Sequence, residues 1–126
     1  LKAAMERLAE LEFTAVEIDV HQHGGHLTPA EVAADPEAAI AACSDLQRLR
    51  PVAVSFSASD NPLFFDHFDA CCRLAKSLKV VTMVVEASEP GTPFNVEIER
   101  LQKLVKIAAK LGSVVAVKTT VDRMTK

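Results

Sequence analysis

The residues in this chain with chemical potential lie along and just beyond short apolar runs. Glu17 and Asp19 alternate with Val16, Ile18 and Val20, and Ser55 and Ser57 alternate with Val54 and Phe56. Glu86 falls at the end of the run that begins at Val80, and Lys118 falls near the end of the run that begins at Ser113. Carboxylates such as Glu17 and Glu86 can take up and return a proton. A lysine such as Lys118 can stabilise developing negative charge or form a Schiff base with a carbonyl compound. His21, His23 and His26 follow the first run within six residues, around Gly24-Gly25. Histidine is the commonest neutral metal ligand, and the Gly pair permits tight curvature. In a loop, however, H-x-H-x-x-H has no helical face to converge its rings, and the H-E-x-x-H signature is missing. The cluster reads as a polar loop, with His21 and His23 as candidate substrate contacts and metal ligation as the remaining alternative.

Helices must position these residues. Leu1, Ala4, Met5, Leu8 and Leu11 recur at helical spacing, which predicts a helix over 1–11 and a strand over 14–20. Thr28-Pro29-Ala30-Glu31 has the form of a capping box with proline at the first helical position, and Asp35-Pro36-Glu37 opens a second helix the same way. Pro51 stops that helix and starts a strand over 51–58. Ser59 to Pro62 reads as a turn with an N-cap, followed by an amphipathic helix through Phe64, Phe68, Cys71, Cys72, Ala75 and Leu78. A nearly continuous apolar strand covers 80–87, as expected when both faces are covered. Asn95 is a candidate cap for the last helix, Gly112 its left-handed terminator, and 113–120 the fourth strand.

One helix separates each strand from the next, so the strands should be parallel with right-handed crossovers. Three helix–strand junctions repeat weakly: Arg7-Leu-Ala-Glu-Leu, Arg73-Leu-Ala-Lys-Ser-Leu and Lys106-Ile-Ala-Ala-Lys-Leu. Repetition of one unit, with no GxGxxG or P-loop opening a helix, favours a barrel over a nucleotide-binding sheet. The expected class is α/β, a (β/α) TIM-barrel segment with four parallel strands alternating with helices. Residues 1–126 form one partial barrel domain, and the chain, starting within a helical pattern and without Met, reads as a fragment of a longer one. Four parallel strands cannot close a barrel, so self-association through the open sheet edges is expected.

Strand parity sorts the side chains. Val16, Ile18 and Val20, and Val52, Val54 and Phe56, should face the helices. Ala15, Glu17 and Asp19, and Ala53, Ser55 and Ser57, should then face the barrel interior. Aligning the repeat places Thr82, Val84 and Glu86, and Ala116, Lys118 and Thr120, on that same side. Glu17, Asp19, Ser55, Ser57, Glu86 and Lys118 would line the mouth at the strand C-terminal ends, where barrel enzymes hold their chemistry. A charge as deep in its strand as Glu17 needs a partner or water.

Composition removes other classes. The net charge of −3 and pI near 5.8, with no basic stripe and no Trp or Tyr, argue against a nucleic-acid partner. No apolar run reaches the roughly 20 residues of a membrane span, and Lys2, Glu6, Arg7 and Glu10 break up any signal-peptide core. Cys43, Cys71 and Cys72 lack metal-type spacing, the adjacent Cys71 and Cys72 read as small buried residues of a helix, and a reduced, cytoplasmic protein fits the set best.

Leu8-Ala-Glu-Leu-Glu-Phe-Thr-Ala-Val-Glu17 resembles the "LAELGFDGVE" junction of xylose isomerase-like TIM-barrel proteins, the sugar phosphate isomerase/epimerase group. The segments Leu74 to Val81 and Ala108 to Lys118 resemble that family's "A-x-x-LG-x-x-x-V" junctions. The resemblance implies that the chain runs from the first helix of such a barrel to its fifth strand. It implies a sugar or sugar phosphate as small-molecule partner, and proton transfer next to a carbonyl. Glu17, Glu86 and Lys118 are then the candidate catalytic residues, and Asp19, His21, His23, Ser55 and Ser57 the candidate substrate contacts. The family usually holds a divalent metal, with one Glu ligand ending the fifth strand. Lys118 stands at that position, which removes a hard oxygen ligand and argues against the usual metal, so the cofactor stays open and no metal ligand is assigned. Glu12 and Lys79 replace the family's usual glycine after helix ends, each costing up to about 1 kcal/mol in a left-handed conformation. Two other readings remain: a Schiff-base lyase or aldolase acting through Lys118, and a non-catalytic, degenerate barrel segment.

Overall fold

The computed structural model describes residues 2–10, 15–21, 27–44, 49–58 and 62–118. Its elements run α1 (Lys2–Glu10), β1 (Ala15–His21), α2 (Pro29–Ala34), α3 (Pro36–Ser44), β2 (Arg50–Ser57), α4 (Phe64–Ser77), β3 (Thr82–Glu86), α5 (Phe94–Lys110) and β4 (Val114–Lys118). The four strands form one sheet in the order β1-β2-β3-β4, and every neighbouring pair is parallel. Consecutive order with helical crossovers is the arrangement of a barrel wall and not of a doubly wound sheet, whose order reverses at a switch point.

Local chemistry sets the helix ends. The Thr28 hydroxyl accepts from the Glu31 N–H at 3.2 Å while the Thr28 N–H donates to the Glu31 carboxylate at 3.0 Å. The capping box is therefore complete, with Pro29 at the first helical position. Asp35 accepts from the Ala38 N–H at 3.1 Å and so starts α3. Two caps differ from the sequence reading. The residue before α4 is Leu63 and the residue before α5 is Pro93, neither with a side-chain cap bond; Asn95 lies inside the first turn of α5, because proline's fixed φ already suits the helix entrance. Glu12, the 59–61 part of the turn before α4, and Thr120 lie outside the described residues.

One side of the sheet packs against the helices. Val16, Ile18, Val20, Val54, Phe56, Met83 and Val85 are buried there, with Phe64, Phe68, Cys71, Leu74, Leu104 and Ala108 from α4 and α5. Phe56 anchors the layer, its ring edge-on to Phe64 and to Phe68 at 5.4 Å each, a geometry that adds to plain apolar burial. Val52 departs from the helix-facing set and is 45% exposed. The β1–β2 register steps from Val16↔Pro51 to Glu17↔Ala53, which makes Val52 the extra residue of a β-bulge and turns it out of the ladder. The alternation resumes at Val54.

Candidate functional site

Parity and register together build the other side of the sheet as three layers. The lowest holds Glu17, Ala53, Thr82 and Val114, and the next holds Asp19, Ser55, Val84 and Ala116. The uppermost, at the strand C-terminal ends, pairs His21 with Ser57 and Glu86 with Lys118. Continuing the β2–β3 register puts Ser57 level with Glu86. Four polar side chains from four strands thus end the sheet in one row.

The structure joins two predicted site residues directly. The Ser55 hydroxyl donates to Asp19 Oδ1 at 3.1 Å across β1 and β2, and both residues are half-buried. His21, also half-buried, has its backbone fixed by an N–H donated to the Leu27 carbonyl at 3.0 Å, while the Leu27 N–H donates to the Asp19 carbonyl at 3.3 Å. This clasp ties Leu27 back to β1. Glu86 is half-buried and Lys118 exposed. His23 and His26 lie outside the described residues.

Glu17 faces the inner side as parity requires and is exposed, so water meets the solvation demand of its charge. It does not join the row at the mouth. It sits two layers lower and two strands away from Glu86, a separation on the order of 15 Å from strand rise and spacing. The two carboxylates therefore cannot work on one carbon within this chain. Alternation assigned the face correctly; the level along the strand needed the register.

A second polar cluster went unread in the sequence. Glu97, in the first turn of α5, is 5% exposed. It accepts from the Ser88 N–H at 2.6 Å, the Ser88 hydroxyl at 2.9 Å and Arg100 Nη1 at 2.9 Å. Arg100 Nη2 donates to the Glu86 carbonyl at 3.0 Å, and the guanidinium lies 5.4 Å from the Phe64 ring centre. Burial pushes the Glu97 carboxyl up, but the two Ser88 hydrogen bonds and Arg100 outweigh it and hold the pKa below the usual carboxylate value. The effect is to bolt the segment after β3, and with it the backbone of Glu86, to α5. The available signal was a Glu three residues before an Arg at a helix start, beside a Ser just past a strand.

Two solved structures share this architecture. One is the IolI protein with a binding zinc atom, with TM-score 0.62 and 18% identity over 93% of this chain and 45% of that one. The other is a xylose isomerase domain protein from Planctomyces limnophilus, with TM-score 0.62 and 13% identity over 91% of this chain and 47% of that one. The fold is that of a xylose isomerase-like TIM barrel, in part. The chain spans about half the length of these two solved proteins. No protein-family model and no curated protein matches the sequence.

The zinc belongs to the IolI structure. Among the described residues of this chain, no three His, Cys, Asp or Glu side chains converge as a metal site requires, and a lysine ends β4. The described residues therefore do not fit a bound divalent ion, and no step proposed below passes through one. Among the described residues, no helix is long and apolar enough to cross a membrane.

Proposed function

We propose that this chain is a wall of a sugar or sugar phosphate isomerase/epimerase barrel, one partial (β/α)-barrel domain over 1–126, acting by proton transfer next to a carbonyl. The observation that carries this reading is the row His21, Ser57, Glu86 and Lys118 across the C-terminal ends of four parallel strands, with the Asp19–Ser55 pair one layer beneath. Glu86 is the base, its backbone steadied by Arg100. Lys118, opposite it across β3 and β4, places positive charge where an enediolate oxygen develops, and such stabilisation is commonly the largest catalytic contribution. Asp19, Ser55, His21 and Ser57 offer the alternating donors and acceptors that a run of sugar hydroxyls needs. Glu17, two layers down, is assigned no contact with the same carbon. Three free, buried cysteines support a reducing, cytoplasmic setting.

The test is deuterium wash-in. The chain is incubated in heavy water with a panel of aldoses, ketoses and their phosphates, and exchange at the carbon next to the carbonyl is followed by proton NMR. Wild-type exchange that Glu86→Gln reduces by about a hundredfold supports general-base catalysis; no exchange with any sugar rejects the reading. Borohydride trapping of a ketose on Lys118 would instead establish the Schiff-base lyase reaction.

A further inference from the structure

His21 and Glu86 stand at one level on either side of Ser57. The register pairs His21 with Ser57 across β1 and β2, and its continuation sets Ser57 beside Glu86 of β3. With one strand between them, and about 4.8 Å from strand to strand, their backbones lie about 10 Å apart. Proton transfer asks for about 3 Å between a carbon and each group that serves it, hence about 6 Å between two groups serving one carbon. Side chains on the inner face of a barrel wall converge toward its axis, and an inward lean of about 2 Å by each supplies that gap. A carbon held over Ser57 then has an imidazole on one side and a carboxylate on the other.

Both flanking residues are anchored from outside the sheet. The His21 N–H donates to the Leu27 carbonyl at 3.0 Å, and Val20 bridges Leu27. The Glu86 carbonyl accepts from Arg100 Nη2 at 3.0 Å, and Arg100 is held in turn by the buried Glu97. Such anchoring suits two groups that must keep a fixed distance from one reacting carbon. The other charged residues described on this face are less well placed to oppose Glu86. Asp19 lies one layer lower and accepts from Ser55 at 3.1 Å. Glu17 lies two layers lower, and Lys118 lies on the far side of Glu86 from Ser57. Histidine is also the side chain that both takes and gives a proton near neutral pH.

We infer that His21 is a second acid–base catalyst opposed to Glu86, and that the reaction inverts a hydroxyl-bearing carbon next to a carbonyl. This rests on the sugar reading above and narrows it to epimerisation. The Glu86 carboxylate takes the proton from the carbon. The C–H electron pair becomes the carbon–carbon double bond of an enediolate, and the carbonyl pair moves onto oxygen. As the carbonyl re-forms, the His21 imidazolium delivers a proton to the opposite face. The sugar has lost one proton and gained another with inversion. Glu86 ends protonated and His21 neutral, and exchange with water resets both. The opposite epimer uses the same two groups in reverse order. One base on one face restores the original configuration or passes the proton to the neighbouring carbon; inversion needs the second group.

Proton NMR in heavy water tests this, with aldoses, ketoses and their phosphates supplied as pairs epimeric at the carbon next to the carbonyl. The wild type should interconvert the two members of a pair, with solvent deuterium at the inverted carbon. His21→Gln should slow interconversion by about a hundredfold or more, while exchange without inversion survives in the epimer that turns its C–H toward Glu86. The loss of exchange on Glu86→Gln should be confined to that same epimer, because its partner exchanges through His21. If His21→Gln does not keep the far-UV circular dichroism of the wild type, His21→Asn replaces it, and the wild-type products decide without any variant. Exchange without inversion, aldose–ketose interconversion alone, or inversion that survives the loss of His21 overturns the inference and leaves the sugar reading standing. No exchange with any sugar overturns both.

Discussion

Lys79 and Gly112 hold the same place in two successive α/β units. Each follows a helix in the left-handed conformation, with φ of +60° and +76°. The same pair of hydrogen bonds closes each turn. Val80 N–H donates to the Ala75 carbonyl at 2.8 Å and Lys79 N–H to Lys76 at 3.1 Å; Ser113 N–H donates to Ala108 at 2.9 Å and Gly112 N–H to Ala109 at 3.2 Å. Both are Schellman terminations, in which the left-handed residue lets the chain leave the helix and enter the next strand. The weak sequence repeat at these junctions is thus a repeat of one backbone device.

Lysine has a Cβ and is strained at such a position, whereas glycine is not. Lys79→Gly should therefore stabilise the fold by up to about 1 kcal/mol, and Gly112→Ala should destabilise it by a similar amount. A Cβ at Gly112 meets nothing within 4 Å, so backbone strain alone sets the second value. Urea denaturation of the two variants measures both, and equal midpoints for all three proteins would contradict the strain argument.

Glu97 ties stability to pH. Its folded pKa is lowered, the combined result of burial, which raises it, and of Ser88 and Arg100, which lower it further than burial raises it. A depressed carboxyl pKa contributes stability above the unfolded value of about 4.3, and that contribution is lost as pH falls through the folded value. Glu97→Gln should cost on the order of 2 kcal/mol at neutral pH, because it weakens charge-assisted bonds in a buried site. The gap between wild type and variant should narrow as pH drops below that range. Denaturant titrations across pH decide the matter, and a gap independent of pH would remove Glu97 from the account.

The three thiols should be chemically quiet. Burial pushes Cys43 up to about 11. Burial and the neighbouring Asp69 push Cys72 up to about 12, and burial with Cys72 pushes Cys71 upward as well. Since the thiolate is the reactive form, a disulfide reagent near pH 8 should label the native chain slowly and the urea-unfolded chain fully. Rapid labelling of any thiol in the native state would show that α3 or α4 opens locally.

Much of the fold could be read in the sequence because its signals are local. Thr28 and Glu31 announce their cap, Gly112 its helix end, and the alternation through Val16, Ile18 and Val20 its buried face. Tertiary facts were harder to read. The bulge that turns Val52 outward arises from the slip between two strands, which neither strand encodes alone. The Glu97 cluster needs Ser88, nine residues before Glu97, and the Glu86 carbonyl, fourteen residues before Arg100, brought to the start of α5. Glu17 was assigned the right face but the wrong level, because parity has a period of two residues and carries no information on height along the barrel.

The final prediction concerns Lys118, whose backbone stands opposite Glu86 across β3 and β4. A lysine there opposes cation binding, since its ammonium would occupy or repel the space beside the Glu86 carboxylate. Lys118→Glu replaces it with a second carboxylate at the same level, and two hard oxygen donors facing each other favour an ion such as Mn²⁺. Lys118→Ala separates the two effects, because it removes the positive charge without adding a ligand. Titration with Mn²⁺, read by electron paramagnetic resonance, should show binding strongest for Lys118→Glu, weaker for Lys118→Ala and weakest for the wild type. Adding Glu86→Gln to Lys118→Glu should abolish the gain, which ties the ion to both positions. If Lys118→Glu binds no better than Lys118→Ala, the two side chains point away from a common space, and the proposed pairing of base and cation at the mouth fails with it.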